Sequence, residues 1–187
     1  ALAVICGYSF CKRFTALSHF VLGFSLAIAP VGAWIAVTGS FALPPLILAL
    51  GVLLWVAGFD IIYALLDEGF DRQTGLHSLV VALGRSRALR VAFVSHLASV
   101  VIIGVFGLLT GMGWIYGVGI LAFAVLIVYE HALVRPGDAA RINRAFFHVN
   151  GIISIGLFCM TFLDIYNTRG MGQSEACPIE TTKAIYK

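Results

Sequence analysis

Five long apolar runs, at about 15–38, 45–66, 91–110, 114–134 and 145–166, alternate with short polar segments along the chain. Each is close to the roughly 20 residues that a helix needs to cross the hydrocarbon core of a bilayer. Residues 1–11 form a shorter apolar run that ends at Lys12-Arg13 and resembles part of a further span. Pro30 lies inside the first complete run and is expected to kink it, because proline removes one backbone donor and crowds the preceding turn. The turns at 38–45 and 110–114 carry no charge, whereas the segments 71–90 and 135–144 are polar and basic. Gly113-x-x-x-Gly117 offers small residues at which two helices could approach closely. The pattern predicts an all-α, polytopic transmembrane helical bundle of five complete spans plus one partial span. The membrane domain is expected over 1–166, with 167–187 a polar, disordered tail.

Composition agrees with the run pattern. The chain of 187 residues is 60% hydrophobic and only 11% charged, with a mean hydropathy of +1.00, whereas a soluble domain is about one quarter charged. A net charge of +3 on so few charges gives no basis for nucleic-acid binding. The four cysteines (Cys6, Cys11, Cys159, Cys177) lack CxxC spacing and suggest neither a disulfide framework nor a zinc site. If the spans alternate, Lys12, Arg13, Arg72, Arg85, Arg87, Arg90, Arg135, Arg141 and Arg144 fall on one side of the membrane. That is nine of the twelve basic residues, so the positive-inside rule makes this side cytoplasmic. Localisation in a bacterial inner membrane is the matching expectation.

The chemistry concentrates where the run at 45–66 leaves the membrane on that side. Asp60, Asp67 and Asp71 stand at i, i+7 and i+11 and fall within about 40° of one another on a helix. Tyr63 and Ala64 lie between them on the same face. Asp60 sits about two turns deeper than Asp67, where a carboxylate is expensive unless it is paired, metal-bound or wet. Hard oxygen ligands of this kind suit Mg2+, which is held by one or two carboxylates together with substrate phosphates. The plainer explanation is a solvated helix end, which fits Asp67, Glu68 and Asp71 but not Asp60.

Other features are weaker alone. Tyr8 and Lys12 share a helix face at i, i+4, and Lys12 could hold a phosphate while Tyr8 lines a pocket; taken alone, an interfacial tyrosine with a snorkelling lysine explains them better. The loop from Asp71 to Ser78 carries Arg72, a turn-forming Gly75, and donors in His77 and Ser78 that could cap a diphosphate, or it is an ordinary connection. Glu130, His131, His148, His19 and His96 lack metal-ligand spacing and read best as interfacial or interhelical hydrogen-bonding groups. A transporter using Asp60 and Asp67 as an ion site would place polar groups across the midplane, but here they gather at one face.

Taken together, Asp60-x-x-Tyr63-Ala64-x-x-Asp67-x-x-x-Asp71-x-x-x-Gly75-x-x-Ser78 resembles the second aspartate-rich motif of the UbiA family of intramembrane aromatic prenyltransferases. Tyr8-x-x-x-Lys12-Arg13-Phe14-Thr15 resembles that family's Tyr-x-x-x-Lys element. Leu22-Gly23, Ala29-Pro30 and Gly32-Ala33-Trp34 are similar to the span that follows it. Glu130-His131 through Asn150-Gly151 is similar to the C-terminal part of members of the 4-hydroxybenzoate polyprenyltransferase type and of related members in menaquinone biosynthesis. The resemblance extends to about Tyr166. The family has about nine spans and an earlier Asn-x-x-x-Asp-x-x-x-Asp motif that this chain lacks, so the resemblance implies that the chain starts within the fourth span.

The resemblance also implies a reaction: Mg2+-dependent transfer of a polyprenyl group from polyprenyl diphosphate to an aromatic acid acceptor, 4-hydroxybenzoate first, within the lipid bilayer. By the same resemblance Asp60, Asp67 and Asp71 are expected metal ligands, with Asp60 alternatively an orienting acid. Lys12, Arg72, His77 and Ser78 are expected diphosphate contacts. Tyr8 and Tyr63, with Lys12, are the expected catalytic side chains. Two alternatives stay open: a dihydroxynaphthoate-type acceptor in menaquinone biosynthesis, and an inactive membrane remnant without the first motif. These residues on their own are expected to be inactive.

Overall fold

The computed structural model describes residues 7, 10–134 and 138–175. Five of its helices are long and apolar enough to cross a membrane, and the described residues contain no strand. In chain order the helices are α1 (Ser18–Thr38), α2 (Leu43–Thr74), a short α3 (Leu79–Leu83), α4 (Arg85–Leu109) and α5 (Trp114–Leu133). The last span is assembled from α6 (Ala139–Arg144), one π-helical turn (Ala145–Val149) and α7 (Asn150–Glu175). The partial span expected before Lys12 lies mostly outside the described residues. α7 continues past Tyr166, where the last span was expected to end, to Glu175. The rest of the expected tail lies outside the described residues.

The central element is α2, which packs along α1 on one side and α4 on the other; α4 then packs on α5, and α5 on α7. With 32 residues, α2 is about 48 Å long at roughly 1.5 Å per residue, against about 30 Å of bilayer hydrocarbon. Its last turns therefore stand clear of the apolar layer, and they carry Asp67 and Asp71. Pro44 and Pro45 lie in its first turn, where a missing N–H leaves no hydrogen bond unmade. It stops at Gly75, which adopts φ 70° and donates its N–H to the Asp71 carbonyl. α1 runs on through Pro30 without ending there.

The connections at the Asp71 end are stitched together. The His77 N–H donates to the Lys12 carbonyl at 2.7 Å, joining the loop after α2 to the turn before α1. Ser78 accepts from the Val81 N–H at 3.2 Å and caps α3. Glu68 receives Arg72 at 3.2 Å and also pairs with Arg85, the first residue of α4. α4 thus begins six residues before the expected span at 91–110, its first residue paired with Glu68 and its first turn packed at Ala88. At the opposite end Asp164, 1% exposed, accepts from the N–H groups of Gly113 (2.6 Å) and Tyr116 (3.2 Å) and caps the start of α5 from a neighbouring helix. Gly113 is thereby a backbone donor to a carboxylate, while Gly117 faces open space, so the pair is not the close-approach motif its spacing suggested.

Helices in lipid gain little from apolar burial against each other, so close packing and interhelical hydrogen bonds hold the bundle. Ala88 and Ala92 of α4 are fully buried in one cluster with Ile61, Ile62 and Ala64 of α2. Ser99 donates to the Gly51 carbonyl and Tyr116 to the Ile103 carbonyl, both at 2.7 Å. The buried His96 ring sits against Gly58, with Nε2 3.1 Å from the Trp55 carbonyl and Nδ1 3.0 Å from Nε2 of His131. A Cβ on Gly58 would fall into that ring. Gly58→Ala is therefore expected to destabilise the bundle by about 1–3 kcal/mol. Gly32→Ala, where nothing lies within 4 Å, is expected to be neutral or to gain up to about 1 kcal/mol. Thermal unfolding of both variants in one detergent checks the contrast.

Candidate active site

The polar end of α2 meets the turn before α1. Asp67 and Asp71 are one helical turn apart and so point the same way. The Lys12 ammonium lies 3.2 Å from Oδ2 of Asp67 and 3.5 Å from Oδ2 of Asp71. Asp71 is 1% exposed and Asp67 44%, so the pair has one oxygen sealed in protein and one open to solvent. Lys12 is held there by its own carbonyl, which accepts from His77. Burial works against the charge on Lys12, but Asp71, Asp67 and, more weakly, Asp60 outweigh it and raise the ammonium above its ordinary 10.5.

Two turns below, Asp60 binds His19 of α1, with Oδ2 2.6 Å from the ring Nδ1. The other ring nitrogen faces the Leu79 N–H at 3.5 Å. A backbone N–H can only donate, so Nε2 accepts and Nδ1–H donates to Asp60. The deeper, partly exposed carboxylate has its partner in a fully buried histidine, and α1, α2 and α3 are tied at one point. Tyr63 stands one turn before Asp67, its ring 4.4 Å from Phe146 of the π-turn. Phe59 lies one turn further in, with its ring 5.4 Å from Phe146 and 6.1 Å from Trp55. Spacings of four thus run Trp55, Phe59, Tyr63, Asp67, Asp71: an aromatic wall leading to two carboxylates.

Of the residues singled out in the sequence, the structure brings Lys12, Asp67 and Asp71 together, with Tyr63 and Asp60 beside them. Arg72 is turned onto Glu68 and half-exposed. His77 is exposed and joins the site through its backbone, and Ser78 is buried as the α3 cap. Tyr8 lies outside the described residues. Sequence reasoning missed Phe146, Asn150 and Trp55. A single asparagine and scattered aromatic residues in apolar runs carry no period that marks them. Of the histidines read as interfacial or interhelical groups, His19, His96 and His131 make interhelical contacts, and His148 is exposed.

The UbiA prenyltransferase family profile matches residues 1–152. The chain belongs to this family. It is similar to the 4-hydroxybenzoate octaprenyltransferase of Nitrosospira multiformis, at 32% identity over 152 residues, 81% of this chain and 52% of that protein. The enzyme of the same name from Aromatoleum aromaticum is 30% identical over 165 residues, 88% of this chain and 55% of that one. The apo structure of a UbiA homolog from Aeropyrum pernix K1 matches with a TM-score of 0.76 at 29% identity, covering 88% of this chain and 61% of that chain. The chain spans about half the length of the curated relatives it matches. It is an integral membrane member of a transferase family.

The donor set can be weighed against a divalent ion. Among the described residues no group of three or more His, Cys, Asp or Glu side chains forms a metal cage. Two carboxylate oxygens nevertheless converge on one cation, the Lys12 ammonium. Hard oxygen donors in this number suit Mg2+, which completes its shell with water and phosphate oxygens rather than with protein alone. Asp67 and Asp71 fit such an ion; Asp60, held by His19, stands outside that pair.

The raised Lys12 pKa fixes a pH dependence. The ion pair's contribution to stability is complete at neutral pH, below the ordinary lysine value, and is lost as pH rises through the raised one. Lys12→Met leaves the nearly buried Asp71 unpaired and is expected to cost about 1–3 kcal/mol at neutral pH, the half-exposed Asp67 adding little. Thermal unfolding of both proteins from neutral pH to beyond the lysine range should find the gap closing only at the alkaline end.

Proposed function

We propose that the intact protein transfers a polyprenyl group from polyprenyl diphosphate to a ring carbon of 4-hydroxybenzoate in quinone biosynthesis. The observation that carries this reading is the convergence of Asp67, Asp71 and Lys12 at the mouth of an aromatic wall on an over-long helix. Family membership and the relatives named 4-hydroxybenzoate octaprenyltransferase support it. The excess of basic residues at the same end supports a cytoplasmic mouth.

The chemistry follows from the groups present. The donor's C1–O bond breaks with its electron pair leaving on the diphosphate. The allylic cation that remains takes an electron pair from the electron-rich ring of the phenolic acid to form a C–C bond. The ring carbon then gives up its proton to the released pyrophosphate, and aromaticity is restored. Lys12 is placed to bind a diphosphate oxygen when Asp67 and Asp71 turn to another cation. Mg2+ held by those two carboxylates and the diphosphate would supply the positive charge that makes pyrophosphate a better leaving group. Asp60, oriented by His19, adds negative potential below and fixes α1 against α2. The ring faces of Tyr63 and Phe59 line the path where positive charge develops, which aromatic quadrupoles stabilise. Excluding water from that wall protects the cation from capture by solvent. The isoprenoid tail stays in apolar surroundings, which explains why the site lies at the edge of a bilayer.

In the intact protein, Asp67→Ala and Asp71→Ala should each lower Mg2+-dependent prenyl transfer by at least about a hundredfold, the scale expected when charge stabilisation at a leaving group is lost. Removing divalent ions with a chelator should abolish turnover in the wild type. Product formation from radiolabelled 4-hydroxybenzoate measures both, with a dihydroxynaphthoate acid as the competing acceptor. Wild-type rates in either variant would sink the metal assignment.

A further inference from the structure

The last span is irregular where it passes the site. A π-turn at Ala145–Val149 separates α6 from α7. Fewer than about 1% of residues in soluble domains adopt this geometry, and it recurs at functional positions. One extra residue per turn rotates everything after it by about 100° around the helix axis. Here the turn carries Phe146, whose ring packs on Tyr63 at 4.4 Å and on Phe59 at 5.4 Å.

Asn150 follows the turn directly and engages all its side-chain polar atoms. Its amide nitrogen reaches the Phe146 carbonyl at 3.1 Å, the Ala145 carbonyl at 3.4 Å and Oε1 of Glu130 at 2.9 Å. Its amide oxygen accepts from the Trp55 indole at 3.0 Å. Glu130 is fully buried on α5, and its second oxygen has no hydrogen-bond partner among the described residues. Nδ1 of His96 lies 3.6 Å from that oxygen, beyond hydrogen-bond reach. A buried acid left half-satisfied is a poor way to glue helices, since an apolar side chain would do so at lower cost. Its one bond is to the side chain that reaches two carbonyls of the π-turn.

We propose that Asn150, anchored by Glu130, is a positioning residue for prenyl transfer: it locks the π-turn so that Phe146 completes the wall with Phe59 and Tyr63 beside Asp67, and the acceptor ring is seated against that wall. The inference rests on the function proposed above and deepens it, because it names the device that seats one of the two substrates. A flat aromatic acid matches a wall of aromatic faces and edges, which prefer stacked and T-shaped partners. The prenyl diphosphate is held instead by its charges, at Lys12, Asp67 and Asp71.

The test varies the two substrates separately with the intact protein in lipid nanodiscs. Asn150→Ala should raise KM for 4-hydroxybenzoate by about tenfold or more, with KM for the prenyl diphosphate unchanged. Phe146→Leu, which leaves the clamp in place, should have the same signature. Glu130→Gln keeps an oxygen for the Asn150 amide and should stay within about twofold of wild type, whereas Glu130→Leu should follow Asn150→Ala. Wild-type kinetics in Asn150→Ala, a loss in kcat alone, or equal rises in both KM values would overturn the proposal. If Asn150→Ala does not fold, Phe146→Leu and the Glu130 pair decide it by the same criteria. A wild type that makes no prenylated product overturns the parent reading and the acceptor role with it. Backbone hydrogen exchange then judges the clamp alone: faster exchange confined to Phe146–Val149 in Asn150→Ala supports it, and unchanged exchange there refutes it.

Discussion

Two carboxylates on successive turns of one helix, at the edge of a bilayer, need a cation between them. That requirement organises this molecule. Asp71 is almost wholly enclosed, so its charge cannot be screened by water, and Lys12 supplies the counter-charge. Lys12 in turn reaches the pair because its own carbonyl is stitched to His77 in the loop that α2 runs into. The helix bearing the carboxylates is longer than the bilayer is thick, so the pair sits at the boundary between apolar and wet surroundings. A diphosphate with an isoprenoid tail has the same division, charge at one end and hydrocarbon at the other.

Below the pair the bundle relies on polar contacts for its geometry. His19 with Asp60, Ser99 with the Gly51 carbonyl, Asp164 with the start of α5 and Asn150 with Glu130 and Trp55 each tie one helix to another at a defined height. Lipid tails compete with leucine for leucine, so apolar contact alone would let helices slide or rotate. Rotation is what the aromatic wall cannot tolerate. Phe59 and Tyr63 come from α2 and Phe146 from the turn before α7, so rotating either span would part the Phe146 ring from both.

Much of the site was legible before any coordinates. Asp67 and Asp71 at i, i+4 must share a face, and the apolar run that ends beside them places them at its polar boundary. The deeper Asp60 signalled a need for a partner, but not that His19 would be the one, because forty-one residues separate them. The loop donors were read less well. Arg72 turned to Glu68, where Arg85 also binds, and Ser78 became a helix cap, both local demands of folding that outweighed a reach towards the carboxylates. Gly113 was a similar case: its spacing suggested helix contact, yet its N–H was claimed by Asp164.

By itself, the sequence determined that the chain crosses a membrane, where the five long apolar helices of the described residues lie, how its charge is distributed along the chain, and where its carboxylates line up. These follow from run length, charge count and helical period, all of which are local properties of neighbouring residues. Only the tertiary structure decided which cation closes the carboxylate pair, which histidine holds Asp60, and that a π-turn held by Asn150 brings Phe146 to Tyr63. Those contacts join residues far apart in the chain. They depend on the rotation of each helix about its own axis, which an apolar run surrounded by lipid leaves open until polar groups on different helices meet.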